Sequence, residues 1–225
     1  MDKLVDYLCI IQARLNSSRL PAKIMLDLGG KTLVERVFET VSKSKKIEHV
    51  VVATSNDITD DIVGKKLSSV GIEVFRGSLT NVLNRFYILA KKYKAKNIVR
   101  VTADNPLMDA NLIDELIAIY EENECDYSMF SGAVYGLSAE VFSFAALEEA
   151  EKNARNDFDR EHVTPYIKEK GNIYIEPIEK KYHNPDLRAT IDTLDDYISM
   201  QKFYMYCKEL DKESNIDNFM QFHQI

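Results

Sequence analysis

Residues 8–23 read LCIIQARLNSSRLPAK. Leu8, Cys9, Ile10 and Ile11 form an unbroken apolar run. At Gln12 it gives way to three cations (Arg14, Arg19, Lys23), three small polar residues (Asn16, Ser17, Ser18) and Pro21. A short apolar run bounded by turn formers reads as a strand buried on both faces, and such strands belong to parallel sheets covered by helices. Open parallel sheets bind ligands outside the carboxyl ends of their strands, which is where this loop sits. The loop is basic although the 225-residue chain carries 29 Lys and Arg against 36 Asp and Glu, a net charge of −7. A local basic loop on an acidic chain suits a small anionic ligand and argues against bulk binding to nucleic acid or to an anionic membrane.

Outward from this stretch, apolar segments alternate in type. Residues 31–42 carry Leu33, Val34, Val37, Phe38 and Val41 at helical spacing. The run 49–54 (HVVVAT) predicts a second strand, 58–70 a helix with Gly71 as its C-cap, and 72–75 a third strand. A helix over 80–94, a strand over 97–102 (NIVRVT) and a helix over 112–123 complete an alternating βα pattern. The second half predicts strands over 126–130, 173–178 and 186–191, and helices over 139–153, 160–169 and 194–210. The tail 211–225 is either a short helix or frayed, and Phe219, Met220 and Phe222 suggest that it packs. No repeat or low-complexity linker divides the chain. One domain over 1–225 is expected, with an α+β elaboration at about 126–182.

The hydrophobic content of 45% suffices for one sizeable core. No apolar run approaches the ~20 residues of a membrane span. The N-terminal MDKLVDYL carries Asp2 and Asp6 and does not read as a signal peptide. Cys9, Cys125 and Cys207 are scattered without a CxxC spacing, so neither a zinc site nor a disulfide framework is indicated and a reducing cytoplasm is expected.

Four more segments follow predicted strands: Thr54-Ser55-Asn56-Asp57, Arg76-Gly77-Ser78 leading to Asn81, Ala103-Asp104-Asn105-Pro106 leading to Asp109, and Ile191-Asp192-Thr193. Cations from the first loop and carboxylates from two others converge on one rim. Loop cations suit a polyphosphate. Two carboxylates suit Mg²⁺, which binds through one or two acids together with phosphate oxygens. Neither GxxxxGK[ST] nor GxGxxG is present. Each residue has a plainer reading: Asp104 could cap a short turn, Asp192 could cap the helix near Leu194, and Asp109 or Asn111 caps the helix that follows. His162 reads as a packing or solvated histidine.

The segments IIQARLNSSRLPAK, LGGKTLVERV, VVATSND, VFRGSLTNVLNRF, RVTADNPLMDANLID, DREHVTPYI and RATIDTLDDY, in this order over most of residues 8–200, together resemble the cytidylyltransferase family, in its spore-coat polysaccharide biosynthesis branch. The chain is more distantly similar to the synthetases that activate 3-deoxy-manno-octulosonate and sialic acids with CMP. The resemblance implies a Rossmann-like α/β nucleotide-diphospho-sugar transferase fold with a mostly parallel central sheet, and a homodimer built through the second-half elaboration. It places Arg14, Arg19 and Lys23 on the phosphates of CTP, Gln12, Ala13, Ser18, Thr54, Thr102 and Ala103 around the nucleotide, and Ser78 and Asn81 at the cytosine. It places Asp104 and Asp192 on Mg²⁺, with Mn²⁺ as the alternative. Thr102-Ala103-Asp104 replaces the Gln-Gly-Asp of the octulosonate enzymes, and Val82 stands where they carry arginine, so their acceptor pocket is not carried over.

The expected reaction is attack by an acidic sugar or a phosphorylated small molecule on the α-phosphate of CTP, with pyrophosphate leaving, for bacterial surface polysaccharide. Arg155, Arg160 and His162 are candidates for contacting the acceptor's acidic group. Two other readings stay open. One is a nucleotide-sugar-dependent glycosyltransferase, for which Asp157-Phe158-Asp159 supplies a D-x-D. The other is a catalytically inactive nucleotide-binding scaffold.

Overall fold

A computed structural model describes residues 4–223. Residues 1–3 and 224–225, which include Asp2 and the last residues of the tail, lie outside the described part. The first half alternates strictly: β1 (Val5–Gln12), α1 (Leu33–Val41), β2 (His49–Ser55), α2 (Asp61–Ser69), β3 (Val74–Gly77), α3 (Val82–Tyr93), β4 (Ala95–Thr102) and α4 (Ala110–Glu122). The second half adds β5 (Tyr127–Ser131), β6 (Glu140–Ser143), α5 (Phe144–Asn153), α6 (Asp157–His162), α7 (Pro165–Lys170), β7 (Ile173–Pro177), α8 (Leu194–Glu209) and α9 (Ile216–Phe222). All seven strands form one sheet in the order β3-β2-β1-β4-β6-β5-β7, in which only β6 runs antiparallel to its neighbours.

Each face of the sheet is buried under helices, as the continuous apolar strands require. Cys9, Ile11, Val52, Val99 and Val101 pack under α1, α2, α4, α8 and α9. Ile10, Val51, Ile98 and Phe142 pack under α3, α5 and α7. Local sequence sets the helix starts. Thr32 and Glu35 form a capping box for α1, and Asn81, Asp109 and Ser143 cap α3, α4 and α5 through their side chains.

Three expectations need correction. The helix predicted over 139–153 is a strand followed by a helix: Glu140–Ser143 pairs with both β4 and β5 before Ser143 caps α5. The helix predicted over 160–169 is two helices, because Val163 turns to a positive φ of 71° and Pro165 opens the second. The strand predicted over 186–191 belongs to no ladder; its contact with extended backbone is a single bridge from Arg188 to Tyr135. The tail forms α9, which buries Ile216 and Phe219 against α8.

Candidate active site

The sheet order reverses between β1 and β4, because the chain moves outward from β1 through β2 to β3 and then returns to the other side of β1. Loops leaving β1 and β4 therefore diverge and open a cleft at the carboxyl edge. The Ala13 N–H donates to the Ala53 carbonyl and the Ala103 N–H to the Gln12 carbonyl, both at 3.0 Å, which carries the ladder to the cleft floor. The loop 13–23 is closed by a bond from the Ala22 N–H to the Leu15 carbonyl at 3.0 Å. Ala22 adopts the left-handed conformation with φ 58°, and the short turn Lys23–Met25 that follows carries Lys23 inward, where it is buried.

The Lys23 ammonium lies between two carboxylates, 2.6 Å from Asp104 Oδ2 and 2.9 Å from Asp192 Oδ1. Arg19 reaches Asp192 Oδ1 at 2.8 Å and Arg188 reaches Asp192 Oδ2 at 2.9 Å. Burial raises the Asp192 carboxyl, but Lys23, Arg19 and Arg188 outweigh it and hold this group below the usual carboxylate range. Asp192 does not cap α8. Thr193 does, in a capping box with Asp196, which leaves the Asp192 side chain facing the cleft. Backbone tethers fix the two acids relative to each other, since the Ile191 N–H donates to the Asp104 carbonyl at 2.9 Å. Among the described residues no group of three or more His, Cys, Asp or Glu is arranged to hold a metal ion. The donor set available to a cation here is the oxygen pair of Asp104 and Asp192, which already holds the Lys23 ammonium between its members and the Arg19 and Arg188 guanidinium groups on Asp192.

Two cavities meet at this centre. The smaller, about 190 Å³, is lined by Gln12, Arg14, Ser17, Ser18, Arg19, Lys23, Ile24, Thr102, Ala103, Asp104 and Asp192. The larger, about 470 Å³, runs beneath the segment 129–138 and is floored by Arg100 and Glu140. Arg19, Thr102, Asp104 and Asp192 belong to both walls. A group bound in one cavity thus meets a group bound in the other across the two carboxylates.

Of the residues expected from sequence, Gln12, Arg14, Ser18, Arg19, Lys23, Thr102, Ala103, Asp104 and Asp192 come together around the smaller cavity. Arg14 extends to an ion pair with Glu161 at 3.2 Å. Ala13 lies buried beneath the loop. Thr54 is fully buried and gives its hydroxyl to Asp60, so its side chain does not reach either cavity. Ser78 and Asn81 line neither cavity and form a turn of their own after β3: the Asn81 N–H donates to Ser78 Oγ at 3.0 Å and Asn81 Oδ1 accepts the Asn84 N–H at 3.0 Å. Arg155 and Arg160 spend donors on main-chain carbonyls at 152 and 154, and the His162 ring packs against Phe158. None of these three lines either cavity. Asp157-Phe158-Asp159 opens α6, with Asp159 bonded to Asn156, and is a helix start.

Sequence reasoning missed four polar residues that shape the site, of which Asp60, Arg85 and Glu140 are buried and Arg100 is partly buried. Asp60 accepts the Leu15 N–H at 2.8 Å, the Thr54 hydroxyl at 2.8 Å, the Ser55 N–H at 2.9 Å and the Ser55 hydroxyl, tying the basic loop to the end of β2. Arg85, 1% exposed, donates to the Ser78, Leu79 and Ala53 carbonyls, and its burial draws its pKa down to about 10. Arg100 and Glu140 form an ion pair on the floor of the larger cavity. The available signal was an arginine inside NIVRVT: a central strand covered on both faces has no reason to carry one unless it faces a polar site.

These features fit what comparison with known proteins finds. A protein of Methanocaldococcus jannaschii, itself uncharacterized, is 43% identical over 202 residues, covering 87% of this chain and 83% of that one. The spore coat polysaccharide biosynthesis protein SpsF of Bacillus subtilis is 36% identical over 212 residues, covering 91% and 88%. The solved structure of a cytidylyltransferase from Leptospira borgpetersenii superposes with a TM-score of 0.84 at 31% identity, covering 90% of this chain and 87% of that one. The family profile described as cytidylyltransferase matches residues 8–224. Matched across nearly its whole length, with the basic loop after β1 and the acids after β4 and before α8 gathered at one cleft, the chain belongs to the cytidylyltransferase family.

Proposed function

We propose that this protein transfers CMP from CTP to an acidic sugar or a phosphorylated small molecule, releasing pyrophosphate, in the synthesis of bacterial surface polysaccharide. The observation that carries this reading is the pair of cavities sharing Asp104 and Asp192 as a common wall. The smaller, basic cavity takes the triphosphate and the larger takes the acceptor. An acceptor oxygen then approaches the α-phosphorus from the side opposite the departing pyrophosphate. Holding both partners in line is the main contribution of the protein, because phosphoryl-group transfer depends on positioning and charge neutralisation more than on covalent help.

In this scheme Arg14, Arg19 and Lys23 neutralise the phosphates, and Lys23 faces the charge that builds on the leaving pyrophosphate. Gln12 and Ser18 contribute hydrogen bonds from the cavity wall. Ser78 and Asn81, on the turn that Arg85 anchors, face the base. Asp104 and Asp192 offer only hard oxygen donors and already hold one cation between them, so they fit Mg²⁺, or Mn²⁺ in its place. When bound, the ion polarises phosphate oxygens and lowers the cost of deprotonating the acceptor hydroxyl. Association of two copies through the second half is part of the same reading, supported by Ile173 and Ile175 exposed on the edge strand β7.

The test is the thermal midpoint with CTP, UTP, ATP and GTP, each with and without Mg²⁺. A ligand at ~100 times its dissociation constant stabilises the folded state by about 2.7 kcal/mol. The expected result is a Mg²⁺-dependent rise with CTP above the other three, followed by pyrophosphate release when sugar acids or phosphorylated acceptors are added. A larger rise with another nucleotide would overturn the base assignment. Nucleoside diphosphate as the product would overturn the reaction.

A further inference from the structure

On the face of the sheet beneath α3, α5 and α7, Leu8, Ile10, Ile98 and Phe142 are buried and apolar. Toward the carboxyl edge the same face turns polar at Gln12, Arg100 and Glu140. Strand register brings these three together, since Arg100 lies opposite Ile10 on one side and Glu140 on the other, and Gln12 lies opposite Thr102. Arg100 Nε and Nη2 donate to Gln12 Oε1 at 3.0 and 2.9 Å, and Nη1 donates to Glu140 Oε2. The other Glu140 oxygen accepts the Tyr127 hydroxyl at 2.6 Å, the Thr164 hydroxyl at 3.0 Å and the Lys168 ammonium at 2.6 Å.

A guanidinium has donors and no acceptor, so a glutamine amide facing it must turn its carbonyl oxygen inward. Two N–H groups use both lone pairs of that oxygen. The amide nitrogen of Gln12 is then left on the far side, and it donates to no protein group among the described residues. Gln12 lines the smaller cavity together with Arg14, Ser18 and Lys23. We infer that Arg100 is a positioning residue: it locks the Gln12 side chain with its Nε2–H donors aimed at a phosphate oxygen of the nucleotide. The inference rests on the cytidylyl-transfer reading and adds a residue to it. Glu140 gives the arrangement its stability. It neutralises Arg100, which therefore acts through its geometry and does not compete as a free cation for the triphosphate.

The test is titration of CTP with Mg²⁺ into the wild type and into Gln12→Leu, Arg100→Lys, the double variant and Lys168→Met, with melting midpoints recorded for each. Gln12→Leu and Arg100→Lys each weaken CTP about tenfold, the order expected for one hydrogen bond to a charged group. The double variant is no weaker than either single one, because both changes remove the same contact. Lys168→Met stays within about twofold, since Lys168 shares Glu140 but does not touch Gln12. Should Arg100→Lys melt too low to titrate, Gln12→Glu serves in its place: it keeps the pairing with Arg100, has no N–H to give and sets a negative charge against the phosphate, so it loses at least the same factor. Binding at wild-type strength in Gln12→Leu or Gln12→Glu overturns the inference. So does additive loss in the double variant, or a loss in Lys168→Met equal to that in Arg100→Lys. Failure of the wild type itself to bind CTP removes the cytidylyl-transfer reading, and the inference with it.

Discussion

Replacing Asp60 by asparagine tests how the basic loop is held. Its carboxylate is 1% exposed and accepts from two backbone N–H groups on different segments, Leu15 at Oδ1 and Ser55 at Oδ2. Asparagine has the same shape but only one acceptor oxygen. If the amide nitrogen takes the Oδ2 position it faces the Ser55 N–H; if it takes the Oδ1 position it faces the Leu15 N–H. The Thr54 and Ser55 hydroxyls can rotate to suit either orientation, whereas the backbone donors cannot. One buried N–H is orphaned in both, at a cost of ~1–3 kcal/mol. For a chain of 225 residues, about 2 kcal/mol lowers the midpoint by roughly 4–8 °C. The effect carries a pH signature. Burial raises the Asp60 carboxyl, but hydrogen bonds from Ser55, the Leu15 N–H and Thr54 outweigh it and leave the group below its ordinary value. A depressed folded-state pKa gives stability that is complete above the unfolded value of about 4 and is lost as pH falls through the folded value. Melting curves for wild type and Asp60→Asn should therefore differ by a constant amount above about pH 5 and converge in stronger acid. The CTP-induced shift should also shrink, because Leu15 anchors the phosphate loop. Equal midpoints at pH 7 would refute the claim that this carboxylate holds the loop in place.

Three further outcomes are expected. Lys23→Met leaves Asp104 facing Asp192 without the ammonium between them; CTP binding should weaken more than tenfold, and Mg²⁺ alone should raise the midpoint of the variant more than that of the wild type, as read by calorimetry. Gly136→Ala places a methyl group 2.9 Å from Asn105 Oδ1 and 3.0 Å from the Thr190 backbone nitrogen at φ 98°; a loss of about 1–3 kcal/mol in denaturant unfolding and slower pyrophosphate release should follow. Glu140→Gln removes the charge that Arg100 and Lys168 share, at roughly 3–5 kcal/mol for breaking a buried pair. Burial raises the Glu140 carboxyl, but those two cations carry it down to about 2. The wild type should thus lose this contribution only as pH falls from about 4 toward 2, a slope in acid unfolding that the variant should lack.

The first four strands and the helices between them were legible because both signals agreed: apolar runs four to six residues long, and helical spacing with side-chain caps at the starts. Residues 139–153 were misread for a local reason. Glu140-Val141-Phe142-Ser143 precedes Phe144-Ala145-Ala146-Leu147-Glu148-Glu149-Ala150, whose strong helix propensity spreads backward over a strand that forms only because β4 and β5 flank it. Residues 186–191 alternate like a strand, yet their hydrogen bonds go to scattered partners, with the Ala189 N–H on Tyr135 and the Ile191 N–H on Asp104. The cleft residues Lys23, Asp104 and Asp192 were found because each follows an apolar run, and a parallel sheet brings such positions to one edge. Asp60 was hidden among Asp57 and Asp61, where composition cannot tell a helix-cap acid from a buried acceptor. Arg85 looked like one more charge on an amphipathic helix, although its side chain points inward to three carbonyls.

The residues that were visible and those that were hidden divide the work of the site by depth. Arg14 and Arg19 are exposed, Arg19 with 62% of its side chain in solvent, and their ion pairs with Glu161 and Asp192 cost little to rearrange. They can leave these partners for a phosphate without disturbing the fold. Lys23 and Asp192 are buried and paired with each other, Lys23 also with Asp104 and Asp192 also with Arg19 and Arg188, so their geometry changes only if another cation or anion replaces what they hold. Below them Asp60 and Arg85 bond to backbone groups and hydroxyls, and Arg100 and Glu140 bond to each other and to the side chains of Gln12, Tyr127, Thr164 and Lys168, where moving any one of them strands a charge. Groups meant to meet a highly charged ligand must be free enough to exchange partners, and the loops that carry them must not move with them. A shallow layer of exchangeable cations over a deep layer of saturated polar posts satisfies both needs. It also explains why sequence shows the first layer and conceals the second: charge density marks the cations at once, whereas a buried polar post differs from a surface residue only in where the backbone points it.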